Sequence, residues 1–399
     1  MRDFPDDFIR RESVAPALFE KAIWMKVCVI GLRGLPDVSG GIETHCENLY
    51  ERLARARPDL DIVVYGRTPY IGKKPYETSA GIRVVPAFAL RNKYLETITN
   101  TFVAIIRARF GERADCVHIH AIGPGLLAPF ARLLGMPVIL THHGDDFLRD
   151  KWNSFARTIL RFGERIGVAS AKRVIAVSPS LAERLKQDYP GRADRIHYIP
   201  NGADHIVARG LAADGDAVLQ KFDLSEGKYI ISVGRLVPEK GFADLIRAHK
   251  ASGTDLPLVI VGGQSNSDHD QELAALDHDN LLMTGTLPQA EVAQLLVKTR
   301  LFILASHHEG LPIAALEAWA MGAPLLLSDI VPNRDLGLPQ DHYFPVRDVD
   351  ALAERLRTDA LGLPAIELLA AFNWTSIARH TADIYDLLHD PQPAEAAGG

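Results

Sequence analysis

Short runs of β-branched and aliphatic residues, each bounded by glycine, proline or polar positions, alternate along this chain with amphipathic stretches. Six such runs fall at 26–31, 61–66, 82–86, 117–120, 138–142 and 174–178. The pattern restarts after Asn201, at 229–234, 258–262, 281–285, 301–305 and 324–328. Fully apolar strands separated by helices indicate a parallel sheet covered on both faces, so the fold class is α/β with two doubly wound, Rossmann-like domains. A chain of 399 residues is too long for one core and suits two. The expected boundaries are an extension over 1–24, a first domain over 25–203, a connector over 204–227 with one short helix, and a second domain over 228–371. A helix over 372–390 and a flexible tail over 391–399 complete the chain. Ligands of such sheets bind beyond the carboxyl ends of the strands, which makes the central cleft between the domains the expected site.

Charge changes this picture by distinguishing the halves. Residues 25–200 hold 26 bases and 17 acids, whereas residues 201–399 hold 14 and 28, giving net charges of +9 and −14. A basic first domain beside an acidic second one points to an anionic partner for the first, such as phospholipid headgroups or a phosphorylated acceptor. No nucleic-acid-binding motif accompanies the charge, so nucleic acid is not an expected partner. Cys28, Cys46 and Cys116 are odd in number and lack metal-ligand spacing, which fits a reducing cytoplasm without disulfides or zinc. The leader carries five acids, four bases and no apolar core, unlike a secretory signal, and reads either as a loose extension before Met25 or as a packed helix over SVAPALFEKAI.

The strongest chemical signal is EGLPIAALEAWAMGAPLLLSD, which begins at Glu309 after an apolar run ending at Ala305. Pro312 marks a helix start, so the amides of Leu311, Ile313 and Ala314 are free to face a phosphate beyond Gly310. Glu309 and Glu317 are eight residues apart, about 12 Å along a helix axis, too far to grip the same atoms. They suit different parts of a long ligand, or else are a loop acid and an exposed helical acid. Upstream, VGRLVPEKG places Gly234, Arg235 and Lys240 in a loop at a strand's carboxyl end. Two cations there can neutralise a departing diphosphate without a metal ion. No DxD, HExxH or carboxylate cluster indicates a metal, and the DHD at 268–270 falls in a polar loop.

Together these motifs resemble the retaining glycosyltransferases of family 4, of GT-B architecture, over nearly the whole chain after Met25. The resemblance implies a nucleotide-diphosphate sugar donor in the second domain, a saccharide or lipid-linked acceptor in the first, no metal, and a C-terminal helix crossing back to the first domain. It implies that Arg235 and Lys240 hold the diphosphate, Glu309 the donor sugar's hydroxyls and Glu317 the ribose. In GLRGLPDVSGGIETHCENL it has Gly40 and Gly41 bring backbone to the diphosphate, with Glu43 opening the next helix; a flexible turn before a helix is the alternative. His120 in VHIHAIGPG and His143 in THHGDDF end consecutive strands facing the cleft. Either can hydrogen-bond sugar hydroxyls or stabilise developing charge, and strand alternation allows only one of His142 and His143 to do so, with His143 the choice. The expected catalytic set is thus His120, Glu309, Arg235 and Lys240, in an enzyme of polysaccharide or glycolipid assembly at the inner face of the cell membrane.

The acceptor's setting depends on FLRDKWNSFARTILRFGERIG, where Trp152, Phe155, Ile159, Phe162 and Ile166 recur at helical spacing among Arg149, Arg157, Arg161 and Arg165. This helix either rests on anionic lipid, extended by Arg91, Lys93, Arg107 and Arg109, or packs its apolar face on the sheet. Two rival functions differ in kind: a nucleotide-sugar epimerase or hydrolase that consumes donor without acceptor, and a non-catalytic nucleotide-sugar-binding scaffold.

Overall fold

The computed structural model describes residues 25–388 except 39, 93–94, 149–152, 211 and 264–267. The leader, the tail and Lys93, Arg149 and Trp152 lie outside the described residues.

The first sheet contains β1 (Met25–Ile30), β2 (Leu60–Arg67), β3 (Tyr76–Glu77), β4 (Arg83–Ala87), β5 (Cys116–His120), β6 (Val138–His142), β7 (Arg173–Ala176) and β8 (Ile196–Tyr198). Their spatial order is β3-β4-β2-β1-β5-β6-β7-β8, parallel throughout except for β3. The second sheet contains β9 (Ile230–Val233), β10 (Leu258–Val261), β11 (Leu281–Gly285), β12 (Leu301–Leu304), β13 (Leu325–Ser328) and β14 (Tyr343–Phe344), ordered β11-β10-β9-β12-β13-β14 and wholly parallel. Strand order reverses direction between β1 and β5 and again between β9 and β12. At these switch points the loops on neighbouring strands lead to opposite faces and leave a crevice. The site residues expected from the sequence lie at the ends of these four strands or the adjoining β6, or on the loops and helices that follow them.

The strands form as they do because both faces are covered: Val27, Cys28, Val29 and Ile30 of β1 are fully buried. Three strands escaped the apolar pattern. β3 and β14 are two residues long, and β8 reads Ile-His-Tyr, an edge strand with too few apolar positions to stand out. The connector holds two helices, His205–Gly210 and Gly215–Lys221, rather than one. Asp214 starts the second by accepting hydrogen bonds from the amides of Asp216 and Ala217, so its Asp-Gly-Asp run caps a helix instead of prolonging a loop. The DHD at 268–270 likewise begins the helix Asp268–Ala274 rather than sitting in a loop.

The C-terminal helix Trp374–Asp386 packs in the first domain's core with Val27, Val29, Leu49, Tyr50 and Leu53. Trp374 and Tyr385 are fully buried there, and Gly202 passes so close that a Cβ would lie 2.7 Å from the Trp374 ring.

Candidate functional site

The site is built where the two switch points face one another. In the second domain, Gly234 and exposed Arg235 leave β9 on a loop that turns back at Lys240. Gly241 then adopts φ +65°, and a Cβ there would meet the Ala305 carbonyl at 2.0 Å, which ties this loop to the end of β12. Lys240 is thereby brought to Glu309: Nζ lies 2.6 Å from Oε1, which also accepts from Ser306 Oγ at 2.6 Å. The cation assigned to the diphosphate and the carboxylate assigned to the sugar are thus one ion pair in the free protein. Gly310, Leu311 and Pro312 follow, and the helix runs Ile313–Ala320 with Pro312 as its N-cap, so it begins one residue after the expected start. Its first-turn amides have no acceptor within the helix and open toward the loop carrying Gly310.

Glu317 sits one face away, buried, with Oε1 2.9 Å from His205 Nε2. Trp374 Nε1 donates to His205 Nδ1 at 3.0 Å, so the ring carries its proton on Nε2 and donates it to Glu317. The residue expected on the ribose is therefore oriented by the connector and the C-terminal helix, through two residues that carry no local motif.

In the first domain, Gly40 caps the helix Gly41–Ala56 with φ 152°, and a Cβ would collide with Glu43 and Arg33 side chains at 2.1 and 2.2 Å. Gly41 has open space. Glu43 is more than a helix-terminal acid: both its oxygens bind the Arg33 guanidinium at 3.0 Å, and Oε1 also accepts the Arg33 amide. Burial alone would raise the Glu43 carboxyl, but the Arg33 bonds and charge hold it below the usual carboxylate range.

His142 and His143 point to opposite sides, as strand alternation demands. His142 Nε2 meets Glu164 at 2.9 Å beneath the sheet, while His143, partly open to the cleft, places Nε2 3.0 Å from His120 Nδ1. His120 is fully buried rather than open to the cleft, with Nε2 2.7 Å from Tyr50 Oη. Tyr50 also contacts His118 Nδ1 at 2.9 Å, and His118 contacts Tyr385 and Thr141 at 2.7 Å each. His45 completes the cluster, its ring centroid 4.8 Å from that of His143 and 5.5 Å from that of His120. Asn201 donates to the Leu311 carbonyl and accepts from His45 Nδ1 at 2.8 Å, a chain that joins the two domains. His45, Asn201, His205, Tyr50 and Trp374 are functional residues that motif reading missed. The one available signal was a histidine interrupting the apolar stripe Cys46, Leu49, Tyr50 and Leu53.

Burial pushes His45 down to about 4 and His118 to about 3, and it pushes His120 and His143 well below 6.5, with mutual repulsion adding to the effect. Burial thus favours the neutral rings, which suits them to act as hydrogen-bonding groups. Below 6.5 the unfolded chain binds protons that the folded chain refuses, so stability falls as pH drops from about 6.5 toward about 4 for His45 and about 3 for His118. Thermal melts between pH 7.5 and 5 will show Tm declining, with a shallower slope in His45→Gln; a flat Tm contradicts the neutral cluster.

Two halves of the chain match family models: residues 39–206 match Glycosyltransferase Family 4, and residues 217–359 match Glycosyl transferases group 1. The chain is 27% identical over 398 residues to the α-maltose-1-phosphate synthase of Mycolicibacterium smegmatis, covering 90% of this chain and 99% of that one. It superposes on sucrose-phosphate synthase from Thermosynechococcus elongatus with a TM-score of 0.75 at 19% identity, over 91% of this chain and 99% of that one. HepE from Anabaena, solved with UDP and glucose, gives a TM-score of 0.65 at 17% identity, covering 91% of this chain and 98% of that one. Two parallel-sheet domains meeting at their switch points, family matches in both halves and relatives that are glycosyltransferases over their full length lead to one assignment: the chain is a glycosyltransferase of the GT-B fold.

Proposed function

We propose that this glycosyltransferase takes its sugar from a nucleotide-diphosphate donor, transfers it with retention of anomeric configuration to a saccharide or lipid-linked acceptor, and needs no metal ion. The observation that carries the reading is the Lys240–Glu309 pair at the second switch point, with Arg235 on the same loop and the first-turn amides of Ile313–Ala320 beside it. When a diphosphate enters, Lys240 and Arg235 turn to its oxygens, and the Glu309 carboxylate is released to the donor sugar's hydroxyls. Negative charge that gathers on the departing diphosphate then meets fixed cations and amide dipoles. Glu317, held by His205, receives the ribose hydroxyls. Neutral His143 reaches the sugar from the first domain, positioned by His120. With Glu309 engaged on hydroxyls, attack comes from the face of the leaving group, whose phosphate oxygen takes the acceptor's proton. Both rival readings lose ground here, since the ionic clamp and acceptor-side groups are all present.

A thermal-shift titration with UDP, GDP, TDP and ADP, each with and without EDTA, tests this. One nucleotide at 100 times its Kd stabilises by about 2.7 kcal/mol, independently of EDTA, and Lys240→Ala and Glu317→Ala abolish the shift. UDP is the first nucleotide to try. A shift seen only with added metal rejects the metal-free clamp.

The acceptor side is proposed to meet an anionic membrane peripherally, at the cytoplasmic face. No helix among the described residues is long and apolar enough to cross a membrane. The helix Ser154–Ser170 packs inward through Ala156, Gly163, Gly167 and Val168, and Gly163 approaches the Ile122 carbonyl so closely that a Cβ would lie 2.7 Å from it. Its two phenylalanines face outward instead: Phe155 is 74% and Phe162 55% exposed, beside Arg161 and Arg165. That arrangement favours lipid over packing on the sheet. Arg107 does not extend this face, since its guanidinium binds the Pro86 carbonyl. Liposomes containing anionic lipid will sediment the protein at low salt and release it at high salt, and Phe155→Glu/Phe162→Glu will stay in the supernatant. Partition that ignores both salt and substitution contradicts the membrane role.

A further inference from the structure

His45, His120 and His143 converge more tightly than hydrogen bonding to a sugar requires: among the described residues, one nitrogen from each lies within 4.8 Å of the others. A tetrahedral ion with Zn–N bonds of about 2.0–2.1 Å sets ligand nitrogens roughly 3.4 Å apart. The 3.0 Å between His120 Nδ1 and His143 Nε2 is already within about 0.4 Å of that value, and small ring rotations bring in His45.

The outer partners fix which nitrogens face inward. Asn201 commits its amide group to the Leu311 carbonyl, so its Oδ1 accepts from His45 Nδ1–H. His45 Nε2 is then an unprotonated acceptor, and this buried atom has no hydrogen-bond partner while the residue is only 2% exposed. His120 Nε2 lies 2.7 Å from Tyr50 Oη, and the tautomer that donates Nε2–H to that oxygen turns the Nδ1 lone pair toward His143. Imidazoles that donate outward to an amide or hydroxyl and point a lone pair inward are arranged as metal ligands are.

We propose that His45 Nε2, His120 Nδ1 and His143 Nε2 form a three-histidine site for a borderline divalent transition metal such as Zn²⁺ or Co²⁺. The site excludes Mg²⁺ and Ca²⁺, which need oxygen ligands. His143 supplies Nε2 by moving its proton to Nδ1, so binding needs no net proton release. The fourth position opens to the cleft on the side where His143 is partly exposed. A neighbouring cluster of His142, Asp145 and Glu164 is no rival, because the Arg184 guanidinium fills it, 2.5 Å from Asp145 and 2.8 Å from Glu164. The ion is an inhibitor rather than a cofactor, since it ties up the His143 ring that the proposed function gives to the donor sugar; only this consequence rests on that reading.

The full-length protein is titrated with Co²⁺ and read by its visible ligand-field absorption, with Zn²⁺ stoichiometry measured by calorimetry. The expected result is one ion per chain with a tetrahedral Co²⁺ band. His45→Gln and His143→Gln lose the band, and Asn201→Ala weakens binding about 10–100-fold by releasing His45. His278→Gln, which alters the separate His249–His278 pair at 3.0 Å, retains it. Circular dichroism melts verify folding, and should buried His45 not tolerate glutamine, the partly exposed His143 carries the comparison. Absence of a band in the native protein, or a band that survives His143→Gln, overturns the site. Stoichiometric Zn²⁺ should also stop transfer reversibly on chelation; binding without inhibition upholds the site but overturns the placement of the sugar at His143.

Discussion

Lys240→Ala will slow sugar transfer by about 10²–10³-fold, the loss that follows when a preorganised group facing developing charge is removed. The free protein complicates the measurement in an informative way. Lys240 Nζ is 2.6 Å from Glu309, whose side chain is only 9% exposed, so alanine also removes a cation from beside a largely buried carboxylate. Losing a charged hydrogen-bond partner of a largely buried acid costs about 1–3 kcal/mol, so Tm should fall as well. The two effects separate in Lys240→Met/Glu309→Gln, which removes the cation and the carboxylate charge together. That variant is expected to recover most of the lost stability while transfer stays depressed. Steady-state rates and melting curves on the wild type, the single and the double variant decide the matter. If Lys240→Ala transfers at the native rate, the diphosphate is held elsewhere; if the double variant recovers activity, the single variant's defect was one of folding.

Gly310→Ala is the second large effect, and it acts on the meeting of the domains rather than on chemistry. A Cβ at Gly310 would lie 1.8 Å from the His143 carbonyl oxygen, and one at Gly144 2.6 Å from the Gly310 Cα, so two glycines let the backbones of the two domains touch. The nearest atoms to the Gly310 Cβ all belong to the first domain, so the second domain folds unchanged. What alanine prevents is the approach that sets His143 opposite Glu309. Misplacement by about 1 Å between reacting groups costs on the order of 10²-fold in rate. The expected result is native Tm, near-native nucleotide shift and transfer reduced by about that factor, with X-ray scattering reporting a more open particle. A variant that transfers normally shows that catalysis does not use this close approach.

Much of the molecule was legible in the chain. Apolar runs marked eleven strands to within a few residues because parallel strands buried on both faces need uninterrupted aliphatic sequence. Glycine, proline and acid positions marked the loops at strand ends, since a backbone turning at +65° or capping a helix accepts few residue types. The second-domain residues Arg235, Lys240, Glu309 and Glu317 stood out for the same reason: each lies in a short local motif. The short edge strands did not stand out, because two or three residues carry no periodicity. Nor did the pairing of Lys240 with Glu309, which are 69 positions apart.

Sequence by itself determined the α/β class, the two-domain plan and the local chemistry of each strand-end loop, all consequences of hydrophobic period and turn-specific residues. Tertiary structure alone decided the long-range assemblies. It placed His45 of a helix against His120 at the end of one strand and His143 just beyond the next, and it hung Glu317 from His205 and Trp374. It also turned Phe155 and Phe162 outward, because Gly163 and Gly167 had already taken the inward face. The reason is physical: periodicity states which face of an element is apolar, but which neighbour that face meets depends on close packing and on where each buried polar atom finds its partner.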